Sequence, residues 1–160
     1  MIGYGNIHRA DDGVAHVIVN ELRRRLRQNE LPDDETGLSG LGRSIDSVFL
    51  LQLTPELIDI IVRYEGVVFV DAHVYDNVEP VLCHPVIPEK TSLTFTHHMS
   101  PSMLMALAAE LLNLRPEGYL VSVRGHDFDF RRGLSAETMR HVKPAVEAIM
   151  TWINSRGHNT

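Results

Sequence analysis

Val67-Val68-Phe69-Val70-Asp71-Ala72 is the stretch that decides the fold. Four consecutive β-branched and aromatic residues predict a strand covered on both faces, since a half-solvated strand would alternate polar and apolar positions. A strand of that kind belongs in a mostly parallel sheet with helices on either side. The run ends on a carboxylate, Asp71. In open α/β sheets ligands collect beyond the carboxyl ends of the strands, so Asp71 is a first candidate for chemistry.

Outward from this strand, helical and extended patterns alternate. Asp12 to about Arg27 reads as a helix with Val14, Ile18, Leu22 and Leu26 on one face and Val17 beside them. Its acidic start and its Arg23, Arg24, Arg25 and Arg27 finish suit the helix dipole. Ser47 to Leu53 reads as a strand, and Thr54-Pro55-Glu56 as the capped start of a second helix. Val78 to Val86 is a strand that Pro80, Pro85 and Pro88 push to an edge. Ser92 to Thr96 is a short extended piece. Ser100-Pro101 starts a helix with Leu104, Leu107, Ala108 and Leu111 on its core face. Tyr119 to Val123 is another strand, and Ser135 caps a last helix with Val142, Val146, Ile149 and Ile153 inward. The expected architecture is α/β, a three-layer sandwich of a mostly parallel twisted sheet flanked by helices on both faces, forming one domain over residues 1–160.

The chain is 44% hydrophobic and 22% charged, enough apolar residues for a real core. A net charge of -6 disfavours nucleic acid and anionic membrane as partners. No apolar run approaches a membrane span. The single cysteine, Cys83, excludes an intrachain disulfide and fits a reducing compartment such as the cytoplasm. Before Gly3 stand only Met1 and Ile2, so the first strand is expected to be very short or continued upstream. The polar segment Gln28 to Asp46 is long for a structureless connection, and a role in gripping a partner competes with a mobile linker.

Several residues offer chemistry, each beside a plainer role. Asp11 reads first as the cap of the helix that follows it. Asp12 exceeds what capping requires. Asp71, and His97 or His98 after the Ser92–Thr96 piece, would complete a site of two carboxylates and an imidazole at one sheet edge. Such a set suits several divalent metals without choosing among them. Cys83 and His84 are strand neighbours pointing to opposite faces, so they cannot cooperate, and Cys83 is expected to be buried and inert. Ser100 reads as a helix cap. His126, Asp127 and Asp129 read as a loop hydrogen-bond network. Gly3-Tyr4-Gly5 is no dinucleotide fingerprint: the third glycine would fall at His8, and two aspartates would repel a pyrophosphate.

The string Gly3-Tyr4-Gly5-Asn6-Ile7-His8-Arg9-Ala10-Asp11-Asp12-Gly13-Val14 resembles the opening signature of the [NiFe]-hydrogenase maturation endopeptidases. That signature has a G-x-G-N turn, an arginine, and an acidic pair before glycine. Val67–Ala72 resembles the family's second signature, and Thr96-His97-His98-Met99-Ser100 its third, in the family's order and over most of the chain. The resemblance implies nickel contacts at Asp12, Asp71 and His97, with His98 the alternative and Asn6, Arg9 and Asp11 in support. It supplies no settled nucleophile. Where the family often has a glycine turn after the second strand, Gln52-Leu53-Thr54-Pro55 stands here.

The implied function is an endopeptidase that removes the C-terminal extension of a hydrogenase large-subunit precursor. Nickel would be carried largely by that precursor, and the precursor would be the partner. The rival reading is a checkpoint protein that recognises the nickel-loaded precursor without cutting it.

Overall fold

The computed structural model describes residues 1–89 and 99–156. The strands are β1 (Ile2–Tyr4), β2 (Val48–Leu50), β3 (Gly66–His73), β4 (Val81–Val86) and β5 (Glu117–Arg124). The helices are α1 (Val14–Arg25), α2 (Ile58–Ile61), α3 (Pro101–Leu112) and α4 (Ala136–Arg156). One sheet runs in the order β2-β1-β3-β5-β4, parallel throughout except for β4, which lies antiparallel to β5 at the edge.

The sequence of β3 explains the three layers. Val68 and Val70 face α1 and α4, packing with Ile18, Leu22, Val146 and Ile149. Val67 and Phe69 face the other way, packing with Ile58, Ile61, Leu104 and Ala108 of α2 and α3. All four are buried, as a strand covered twice requires. Gly3 lets β1 and α1 approach closely, since a Cβ there would lie 2.9 Å from Val19 Cγ2 and 3.2 Å from the Ala15 carbonyl oxygen.

Several sequence expectations shift. The first helical turn, Ala10–Gly13, is 3₁₀, and α1 begins at Val14. Ala15 and Val19 share the buried face with Val14, Ile18 and Leu22, while Val17 and Leu26 are only partly covered. Thr54 has the extended backbone of a cap but its side chain makes no capping bond. On α3 the buried residues are Leu104, Met105, Ala106 and Ala108, whereas Leu111 on the last turn is 65% exposed. Ser100 does cap α3, its Oγ accepting from the Met103 N–H at 3.2 Å. Ser135 does the same at the start of α4, from the Thr138 N–H. The extended piece expected at residues 92–96 lies outside the described residues.

Cys83 is exposed, where a buried thiol was expected. It sits on the edge strand, which the helices cover less than the centre, with the Tyr119 hydroxyl as hydrogen-bond partner.

The segment between α1 and β2 is tied down at several points. Leu31 is buried, and its backbone is bracketed by the Asn20 side-chain amide at 2.7 and 3.1 Å. The Phe49 N–H donates to the Thr36 carbonyl, so the segment doubles back along β2. Asp46 accepts from the Gly42 and Arg43 N–H groups and from the Tyr64 hydroxyl at 2.6 Å. A cavity of about 530 Å³ opens at the amino ends of the strands, between Ile2, Val48, Val67 and Trp152. It is remote from the carboxyl ends, where the polar candidates gather.

Candidate functional site

The site grows from the turn that leaves β1. Gly5 has φ +142°, and a Cβ there would sit 2.1 Å from the Asp12 carbonyl oxygen, so only glycine fits. The turn closes on itself. The Asn6 N–H donates to Asp12 Oδ2 at 2.9 Å, Asn6 Oδ1 accepts from the His8 N–H, and the Arg9 carbonyl accepts from the Asp12 N–H. Asp12 is thereby fixed above the carboxyl end of β1. Arg9 turns away from it, toward the Phe128 carbonyl and the face of Phe130.

Asp71 stands near the end of β3, the strand next to β1. One of its oxygens accepts from the Ala72 N–H at 2.7 Å, and the Tyr4 hydroxyl donates to the carboxylate. Burial pushes the Asp71 carboxyl up to about 6; the charge of Asp12 adds to this, and the two hydrogen bonds pull the other way. Burial, then Asp71 itself, raises the Tyr4 hydroxyl far above the ordinary tyrosine range. Asp12 and Asp71 thus lie within electrostatic reach of each other.

Asp11 has a different task from the expected one. It does not cap the helix it precedes. Ala10 adopts φ +45°, and Asp11 turns fully buried into the gap between the segment after β5 and the start of α4. Its carboxylate accepts from the His126 and Asp127 N–H groups, from the Ser135 N–H and hydroxyl, and from the Thr138 hydroxyl, all at 2.6–2.9 Å. Burial alone would raise its pKa; these donors overcome that and hold it at about 2. Asp127 accepts in turn from the Asp129 N–H and the Arg131 guanidinium, so the loop does carry the network read from its sequence.

His97 and His98 lie outside the described residues. Among the described residues no three His, Cys, Asp or Glu side chains are arranged to hold a metal ion. What stands here is a pair of half-buried carboxylates, the charge of Asp12 acting on Asp71.

Four polar neighbours escaped the sequence reading. Tyr4 and Asp71 face the same side of the sheet, and so do Ser122, His73 and Arg124. The register places Ser122 beside Asp71 and Arg124 beside His73. Strand parity counted from Asp71 singles out His73, two residues on; Ser122 and Arg124 needed the pairing of β3 with β5, which no local pattern reveals.

The sequence matches no protein-family model and none of the curated proteins. The fold, however, is that of a group of solved structures. It resembles the hydrogenase maturating endopeptidase HybD from E. coli with a TM-score of 0.66 and 20% identity, over 98% of this chain and 91% of that one. It resembles a hydrogenase 2 maturation peptidase from a Thaumarchaeota archaeon at 0.58 and 17%, over 95% of each chain. It resembles the [NiFe] hydrogenase maturation protease HycI from Thermococcus kodakarensis KOD1 at 0.58 and 18%, over 92% of this chain and 87% of that one. At such identities the likeness establishes a shared α/β fold across almost the whole chain.

Proposed function

We propose that this protein is an endopeptidase that removes the C-terminal extension of a [NiFe]-hydrogenase large-subunit precursor. The observation that carries the reading is the approach of Asp12 and Asp71 over the carboxyl ends of two adjacent parallel strands. It occurs in a fold matched nearly end to end by proteins named as hydrogenase maturation proteases. Nickel arrives with the precursor as part of the substrate. Asp12, Asp71 and His97 contact it, with His98 as the alternative, and Asn6 keeps Asp12 in place. Two carboxylates held near each other without a cation repel, and a divalent ion relieves that repulsion; the chemistry of the pair therefore fits the ion. An incomplete shell on this protein leaves positions for ligands from the precursor, which makes recognition conditional on a loaded substrate.

The test is incubation with nickel-loaded precursor, followed by the mass of the large subunit. Loss of a C-terminal peptide supports the reading. Tight nickel-dependent binding with an unchanged mass would instead favour a checkpoint role. Parallel His97→Ala and His98→Ala variants identify the histidine by which one abolishes cleavage.

A further inference from the structure

Buried polar atoms are almost always partnered, and those that are not call for an explanation. Among the described residues three buried side-chain atoms lack a partner, and two of them, His73 Nε2 and Arg124 Nε, belong to residues paired side by side in β3 and β5. Both sit at the carboxyl end of the sheet, on the face that carries Asp71.

Proton counting fixes their character. His73 Nδ1 and Ser122 Oγ are 3.0 Å apart. If the imidazole donated, the buried hydroxyl proton of Ser122 and the Nε2 lone pair would both be left over. If the hydroxyl donates, only Nε2–H remains. The second arrangement strands fewer groups and makes Nε2 a donor. Arg124 Nε–H is a donor always. One terminal nitrogen of that guanidinium is used by the Val78 carbonyl, and no carboxylate pairs with it among the described residues. Two donors, one on a cation, argue against a metal ion and for an oxygen acceptor.

We propose that His73 Nε2–H and Arg124 Nε–H together bind an oxygen of the polypeptide substrate, a carbonyl or a carboxylate. The identity of the occupant rests on the endopeptidase reading; the existence of the site does not. The site is covered by Tyr75, which stacks on the His73 ring with centroids 5.8 Å apart and is itself 61% exposed. The substrate oxygen reaches the pair as that ring moves aside. Two donors on neighbouring strands, on the sheet face that carries Asp71, would hold the substrate backbone in register with it.

Nitrogen-15 NMR of the whole protein tests this, with acetate and N-methylacetamide as probes for the two oxygen types. The Arg124 Nε–H and His73 Nε2–H resonances should move together and saturate with at least one probe. Arg124→Lys keeps the charge and loses the Nε–H, and His73→Phe keeps the ring. Each should weaken probe binding about tenfold or more. The probe that binds more tightly names the oxygen type. Unmoved resonances with both probes, or a long-lived water seen at both N–H groups that neither displaces, would overturn the proposal in favour of a hydration site. On precursor, both variants should raise KM about tenfold with kcat changed far less. If wild-type protein cleaves no precursor but the resonances respond, the endopeptidase reading fails and the oxygen site stands.

Discussion

Asp11 and Asp12 are adjacent in the chain, yet their carboxylates hold opposite parts of the molecule. Asp11 gathers five donors from residues 126–138, while Asp12 accepts from Asn6 in its own turn. Removing the first carboxylate strands buried donors; removing the second strands almost nothing. Asp11→Ala is expected to cost about 3 kcal/mol or more of stability, and Asp12→Ala less than about 1 kcal/mol. Urea unfolding of both variants checks this. Asp12→Ala should nevertheless abolish nickel-dependent cleavage. Equal destabilisation by the two changes would contradict the division of labour.

The raised pKa of Asp71 predicts a pH dependence. The folded protein holds this proton more tightly than the unfolded chain does, with the pKa moved from 3.8 to about 6. The associated stability is therefore fully present below the ordinary carboxylate value and is lost as pH rises through about 6. Wild-type protein should lose stability over that window relative to Asp71→Asn, which has no proton to release. Denaturant midpoints at the two ends of the window read the effect. Parallel curves for the two proteins would show that Asp71 ionises normally.

Gly5→Ala should damage site and fold together. The new methyl would meet the Asp12 carbonyl oxygen at 2.1 Å, which is backbone and cannot swing aside. A φ of +142° adds strain for any side chain. The expected outcome is a loss of several degrees in Tm and loss of nickel-dependent precursor binding in whatever remains folded. Retention of both would mean the turn rearranges freely.

Shortening Glu35–Leu41 separates gripping from bracing. A connector that orders only with a partner would tolerate the deletion in isolation. The Thr36 carbonyl, however, accepts from Phe49 in β2, and a Cβ at Gly37 would sit 2.9 Å from the Ser47 carbonyl. The deletion is expected to lower Tm of the free protein as well as precursor affinity. An unchanged Tm with weakened binding would restore a pure gripping role.

Much of this fold was legible because its signals are local. The unbroken apolar run of β3, the fourfold spacing in α1 and the serine before each of α3 and α4 need no knowledge of distant residues. The burial of Met105 in place of Leu111, the exposure of Cys83 and the partners of Asp11 depend on which element lies opposite, and that is settled by topology. The candidate site divides the same way. Asp12 and Asp71 announce themselves at strand ends, whereas Arg124 acquires meaning only once β5 lies beside β3.

The order β2-β1-β3-β5-β4 has a consequence for synthesis. A ribosome releases β1 first, but β1 is an interior strand whose neighbours begin at Val48 and Gly66. The turn carrying Asp12 leads straight into Asp11, whose anchors emerge only with residues 126–138. A nascent chain short of that point can close the turn through Asn6 and Asp12 but leaves the Asp11 carboxylate without its anchors. The bracing of the turn against the rest of the molecule is therefore among the last things the chain acquires, and truncated chains carry Asp11 as an unpaired charge.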